Sequence, residues 1–147
     1  MKIYFAGSIR AGRNDVGMYS ELINHLKKYG EVLTEHVGDK KLAVSGGNCL
    51  NDEFIHDRDL RWLFSSDVVV AEVSTPSLGV GYEIGRAVER KKSVLCLHRL
   101  EDGKMLSAMI SGCPNVSRRN YKTLEEARLA IDDFFKSLDN STTNIRI

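Results

Sequence analysis

A chain of 147 residues, 42% apolar and 28% charged, is long enough for one domain with its own core and too short for two. A formal net charge of +1 argues against the broad basic surface of a nucleic-acid-binding domain. It leaves room for a small phosphorylated ligand, which a few N–H groups and one arginine suffice to hold.

The three cysteines, Cys49, Cys96 and Cys113, are widely spaced and form no CxxC pair, the pattern of reduced thiols in an intracellular compartment. The N-terminal MKIYFAG reads as a strand and not as a signal peptide, and no apolar run approaches the roughly 18 residues of a membrane span. The expectation is a soluble protein of the cytoplasm or nucleus, with no membrane and no nucleic-acid partner.

In chain order, KIYFAG (2–7) reads as a buried strand. Val16, Tyr19, Leu22, Ile23 and Leu26 recur at helical spacing, with Gly30 as the stop. EVLTEHV (31–37) reads as a second strand, and the polar, glycine-bearing stretch 39–48 as a mobile loop. Asn51 is placed to cap a helix carrying Phe54, Ile55, Leu60 and Leu63. DVVVAEV (67–73) is nearly continuous in β-branched residues, as suits a central parallel strand covered on both faces.

A glycine-rich turn follows, then a helix with Val80, Ile84, Ala87 and Val88 on one face. SVLCLH (93–98) is a fourth strand, with a short helix predicted near 104–111 and a fifth strand around 116–121. Thr123 and Glu126 form a capping box for a last helix with Leu124, Ala127, Ile131, Phe134 and Leu138. One domain over 1–138 and a frayed tail over 139–147 result. Alternating strands and helices with short links imply a doubly wound parallel sheet of about five strands, with ligands at the strands' carboxyl ends.

Two glycine-bearing turns fall at that edge. GSIRAGRN (7–14) nearly matches a P-loop, but Arg13 replaces the lysine and Asn14 the hydroxyl that would hold magnesium, which argues against a nucleoside triphosphatase. A turn that holds a simple phosphate through Ser8 and Arg10, and an ordinary strand-to-helix turn with surface arginines, both fit the stretch. GVGYEIG (79–85) is one residue too long for the dinucleotide fingerprint, leaving a tight turn where a ligand approaches backbone near Ser77 and Gly79.

Glu83 is placed in the first helical turn at the margin of the apolar face. As a cap it would gain about 0.3–1 kcal/mol from the helix dipole and pair with Arg86. Half buried at the ligand edge and kept ionised near neutral pH, it would instead suit a nucleophile.

In HDRDLRW (56–62), His56 and Asp59 share a helix face, but no further ligand cluster supports a metal there. Asp59 is either a helical residue paired with Arg58 or Arg61, or a second carboxyl opposing Glu83 in acid–base work. Tyr4 is either core or a hydroxyl that orients a carboxylate. His98 reads as packed, and neither Ser77 nor the cysteines carry a local nucleophile signature.

YFAGSIRAGR, LTEHV, HDRDLRWL, DVVVAEVSTPSLGVGYEIGRAV and LSAMISG together closely resemble the 2'-deoxynucleoside 5'-phosphate N-hydrolase family, within the wider nucleoside 2-deoxyribosyltransferase superfamily. The likeness runs from about Lys2 to Tyr121, and neither the 38–50 loop nor the tail carries recognisable motifs. It implies a flavodoxin-like fold, usually dimeric and needing no cofactor or metal. It also implies cleavage of a deoxynucleoside monophosphate to free base and 2-deoxyribose 5-phosphate.

Carried over from the resemblance, Glu83 is the nucleophile, Asp59 assists base departure and Tyr4 positions the nucleophile. Gly7, Ser8, Ile9 and Arg10, with Ser77 and Gly79, match the nucleotide-contacting loops. Ser107 matches a serine that reaches the neighbouring subunit's site. The rival readings are a deoxyribosyltransferase, in which a second base replaces water, and a nucleotide-binding module without turnover.

Overall fold

A computed structural model describes residues 1–9, 15–38 and 51–143. Five parallel strands, β1 (Lys2–Ala6), β2 (Glu31–Val32), β3 (Val68–Glu72), β4 (Ser93–Arg99) and β5 (Val116–Tyr121), form one sheet in the order β2-β1-β3-β4-β5. The strands alternate with α1 (Val16–Leu26), α2 (Asp52–Ser65), α3 (Leu78–Glu89), the short α4 (Ala108–Ser111) and α5 (Leu124–Thr143). This is the doubly wound α/β sheet that the alternating pattern predicts. The chain adds β2 on one side of β1 and then crosses to β3 on the other, so a topological switch point opens at the carboxyl ends of β1 and β3.

The period of two along the strands splits the core into two layers. Ile3, Phe5, Val68, Val70, Leu95 and Leu97 face α1 and α5, meeting Tyr19, Leu22 and Leu26 from one and Ile131 and Phe134 from the other. Tyr4, Ala6, Val69, Ala71 and Cys96 face the opposite way, onto Leu63 of α2 and Val80, Ile84 and Ala87 of α3. Val68–Glu72 is buried throughout, which is why its sequence shows no polar alternation. Among the described residues, no helix is long and apolar enough to cross a membrane.

Three boundaries differ from the sequence pattern. The second strand is only Glu31–Val32, and the chain turns into a 3₁₀ helix over Glu35–Gly38. Thr34 ends the ladder by replacing it: its hydroxyl accepts from Phe5 N (2.8 Å) and donates to Phe5 O (2.7 Å), so a side chain satisfies the β1 backbone where a strand would have. The fourth helix is confined to Ala108–Ser111, and α5 continues to Thr143, past the predicted end at Leu138. The caps follow expectation, except that the Glu126 carboxylate accepts from Lys122 N (2.6 Å) where a full capping box would use Thr123 N. The Asn51 side chain accepts from Phe54 N (2.7 Å), and Thr123 Oγ1 accepts from Glu126 N (3.2 Å). Gly30 is fixed by close approach, since a Cβ there would lie 2.1 Å from Met1 O. The loop of residues 39–50, including Cys49, lies outside the described residues.

Thr34→Val leaves two buried backbone groups of Phe5 unpaired and should destabilise the fold by about 2–4 kcal/mol, whereas Thr34→Ser keeps both bonds and should cost far less. Chemical denaturation of the two variants checks this. Equal stabilities would show that the hydroxyl is not what closes this edge.

Candidate active site

The switch point gathers a cluster of polar side chains on the α2/α3 side of the sheet. Tyr4 points off the middle of β1 into that layer with 2% of its surface exposed, and its hydroxyl donates to Glu83 Oε1 at 2.7 Å. The two sequence alternatives for Tyr4 are therefore both realised, because the ring is core and the hydroxyl orients a carboxylate. Burial, with the neighbouring Glu83 charge, holds the Tyr4 hydroxyl far above its ordinary pKa, so it stays a donor.

Glu83 departs from expectation in two ways. Helix α3 starts at Leu78 behind the Ser77 cap, which puts Glu83 in the second turn and out of reach of the capping role. Nor is it firmly ionised: burial lifts its carboxyl to about 7, the Tyr4 bond pulls against that lift, and the Asp59 charge adds to it. Arg86, the expected partner of Glu83, turns instead to Glu89 (3.6 Å) and to the Tyr82 hydroxyl (3.0 Å), stacking over Phe64. Glu83 is thus a half-buried carboxylate held by a single tyrosine, poised to change charge near neutral pH.

Asp59 on α2 is near enough for its charge to be felt at Glu83 and Tyr4. It is also ion-paired with Arg58 (2.9 Å), whose guanidinium lies 4.8 Å over the Trp62 ring. Pairing and proximity to Glu83 thus coexist. His36 of the 3₁₀ turn packs against Trp62 at 5.5 Å. Burial, then the Arg58 charge, holds His36 below its ordinary pKa, with Asp59 opposing, so the ring is neutral at neutral pH. The sequence reading assigned His36 no role, although it lies in the LTEHV motif.

The loops flank this cluster. Gly7 lies against the Tyr19 ring, Ser8 N donates to Tyr19 Oη (3.1 Å), and Ile9 is exposed. Ser8 Oγ is buried with no hydrogen-bond partner among the described residues. Arg10, Arg13 and Asn14 lie outside those residues. Ser77 Oγ accepts from Val80 N (3.3 Å), and Gly79 is exposed beside it. Ser107 is exposed and caps α4, accepting from Met109 N (3.3 Å). His56 is engaged with Asp57 (3.0 Å) and Tyr82 (3.1 Å), and no group of three metal-ligating side chains occurs among the described residues. His98 is buried in β4.

Sequence reasoning missed a second polar cluster on the other face of the sheet, built on Glu72 and Asp15. Its signal was a carboxylate closing a run of β-branched residues.

Residues 3–134 match the nucleoside 2-deoxyribosyltransferase family, and the chain belongs to it. The chain is 50% identical over 143 residues to the 5-hydroxymethyl-dUMP N-hydrolase of Esox lucius, covering 94% of this chain and 98% of that protein. It is 46% identical over 138 residues to the 5-hydroxymethyl-dUMP N-hydrolase of Homo sapiens, covering 92% of this chain and 79% of that one. A solved structure of Clostridium botulinum CMP N-glycosidase matches with a TM-score of 0.65 over 91% of this chain and 99% of that one. At 17% identity, this likeness concerns the fold alone.

The Glu83 environment carries a stability signature. A carboxyl raised from 4.5 to about 7 binds its proton more tightly folded than unfolded, so its contribution to stability is lost as pH rises through that window. Glu83→Gln should therefore be more stable than the parent at pH 8 by about 1–3 kcal/mol, with the gap closing below pH 5. Denaturation across pH 5–8 reads this directly. A variant less stable than the parent at pH 8 would mean that the carboxylate is a structural asset.

Proposed function

We propose that the protein hydrolyses the N-glycosidic bond of 2'-deoxynucleoside 5'-monophosphates, releasing free base and 2-deoxyribose 5-phosphate, with Glu83 as nucleophile. The observation that carries this reading is the 2.7 Å bond from the buried Tyr4 hydroxyl to a half-buried carboxylate, with the second carboxyl of Asp59 alongside. Tyr4 occupies one oxygen of Glu83 and leaves the other to attack C1'. As the C1'–O bond to Glu83 forms, the glycosidic bond breaks through an oxocarbenium-like transition state and the base leaves with its electron pair. Water then adds at C1', the glutamyl ester breaks and Glu83 returns as a carboxylate, while the Asp59 carboxylate takes the proton that water loses and delivers it to the departing base, which leaves as the neutral species.

The names of the relatives support a deoxyuridine monophosphate such as 5-hydroxymethyl-dUMP as one substrate. The phosphate is assigned to Gly7, Ser8, Ile9 and Arg10 with Ser77 and Gly79. The orphaned Ser8 hydroxyl supports this, because a buried donor without a partner is costly unless a ligand oxygen satisfies it. Ser107 is assigned to the site of a second copy. Met105 and Met109, respectively 92% and 83% exposed beside it, and Leu78, 96% exposed beside Ser77, support an apolar contact between copies there.

Glu83→Ala or Glu83→Gln should abolish nearly all release of free base while nucleotide binding and folding persist, and Asp59→Asn should be less severe for bases that leave easily. For the parent, kcat/KM should climb with pH toward a plateau above about 7, as Glu83 ionises. Product analysis separates the rivals: base exchange with an added base marks a transferase, and intact nucleotide after long incubation marks a binding module. Near-parental hydrolysis by Glu83→Ala would remove Glu83 from the chemistry.

If Ser107 completes a neighbour's site, activity and dimer should be lost together on dilution, read by sedimentation and turnover over one concentration series. Full specific activity in a monomeric sample would rule out the shared site.

A further inference from the structure

On the sheet face opposite Glu83, a second set of buried polar groups ties the two proposed phosphate loops together. Glu72 closes β3 with none of its surface exposed. Its carboxyl accepts from Tyr121 Oη (2.9 Å), from Ser74 N (3.4 Å) and from the Ser74 hydroxyl. Ser74 Oγ accepts in turn from Arg99 N (2.7 Å). The Arg99 side chain reaches Asp15 Oδ1 (2.8 Å), and the other Asp15 oxygen accepts from Thr75 Oγ1 (2.7 Å). Tyr19, which holds Ser8 N, lies close enough to Glu72 and Asp15 for both charges to act on its hydroxyl.

Asp15 stands at the N-cap of α1, where its carboxylate would ordinarily accept from its own helix. No such bond is made, and both oxygens reach across to Thr75 and Arg99. Burying a carboxylate costs several kcal/mol before its partners offset it, so stability alone would favour an apolar replacement. Among the described residues, no backbone hydrogen bond joins residues 7–9 to residues 74–77. Past the Ala6–Ala71 pair that ends the β1–β3 ladder, the hydrogen bonds that join the start of α1 to residue 75 and to β4 come from these side chains.

We infer that Asp15, bridged to Thr75 and Arg99, is a positioning residue that holds the start of α1, and through Tyr19 the Gly7–Ile9 turn, against the loop after β3, and so sets the affinity for the 5'-phosphate. This rests on the proposed function for the identity of the ligand. The base and the sugar carbon are handled from the opposite face of the sheet, by Tyr4, Asp59 and Glu83. The bridge should accordingly act on the phosphate part of binding and spare the chemical step.

The test compares binding of 5-hydroxymethyl-dUMP and of its nucleoside by calorimetry, and turnover of both, for parent, Thr75→Val, Thr75→Ser and Asp15→Asn, each with a thermal melt. Thr75→Val should weaken nucleotide binding about tenfold and raise KM alike, leaving kcat and nucleoside affinity within about twofold. Asp15→Asn should act in the same direction, and Thr75→Ser should restore the parent values. If nucleotide and nucleoside lose equally, or only kcat falls, the bridge is merely structural and the inference is overturned. If the parent prefers the nucleotide and Thr75→Val keeps the full preference, the inference fails while the phosphate assignment stands. If the parent shows no preference, both fail. A parent that binds with the preference, loses it in Thr75→Val and never hydrolyses would overturn the hydrolase reading and support the bridge.

Discussion

The hydrogen bond from Tyr4 to Glu83 is the constraint around which the site is organised. It joins the middle of β1 to the second turn of a helix, so it exists only if β1 and α3 pack in one relative placement. That placement is set by apolar contacts: Val80, Ile84 and Ala87 from α3 against Ala6, Val69 and Ala71 of the sheet. A one-residue slip of α3 would offer Ile84 or Tyr82 to the tyrosine in place of the carboxylate. The apolar layer also sets the chemistry, since the same burial keeps the Tyr4 proton in place and raises Glu83 toward neutrality.

One glutamate lies on each side of the sheet, Glu72 buried at the end of β3 and Glu83 half-buried on α3, and their surroundings decide what each does. Glu72 is fully enclosed and accepts from two hydroxyls and a backbone N–H, three bonds that make it a fixed point. Glu83 has one donor, a half-buried carboxyl and the negative charge of Asp59 nearby. A half-buried carboxylate with one donor is the candidate for chemistry, and one held by three donors in a core is scaffolding.

Much of this was legible in the sequence. The period of two or 3.6 in each segment located the strands and helices, and the switch point followed from their alternation. What the pattern could not show was how side chains override it. EVLTEHV reads as a strand until Thr34 takes over the β1 backbone bonds, an interaction between residues 29 apart in the chain. Glu83 reads as a first-turn residue because glycines blur where a helix begins, and the Ser77 cap settles that start. Glu72 reads as the end of an apolar strand because its partners, Ser74, Tyr121 and the nearby Asp15–Arg99 pair, come from separate segments. The motif residues Tyr4, Asp59 and Glu83 were visible by type, and only folding places the first and last in contact and the second alongside.

A carboxylate nucleophile beside a phosphorylated ligand poses an electrostatic problem, since a dianion close to Glu83 would oppose the ionisation that attack requires. In the proposed arrangement, α3 resolves it by length. Ser77 caps the helix and Glu83 follows six residues later, which at about 1.5 Å per residue separates them by about 9 Å along the axis. With an effective dielectric of about 20, repulsion between two unit charges falls from about 4 kcal/mol at 4 Å to about 2 kcal/mol at that distance. The helix N-terminus and the Ser8 hydroxyl act on the phosphate end, and the Tyr4 hydroxyl acts on the carboxylate end. Moving the carboxylate into the first turn would strengthen the cap and bring the two charges together. The second turn gives up a capping interaction and leaves Glu83 a pKa near neutrality, where it can ionise as the proposed role requires.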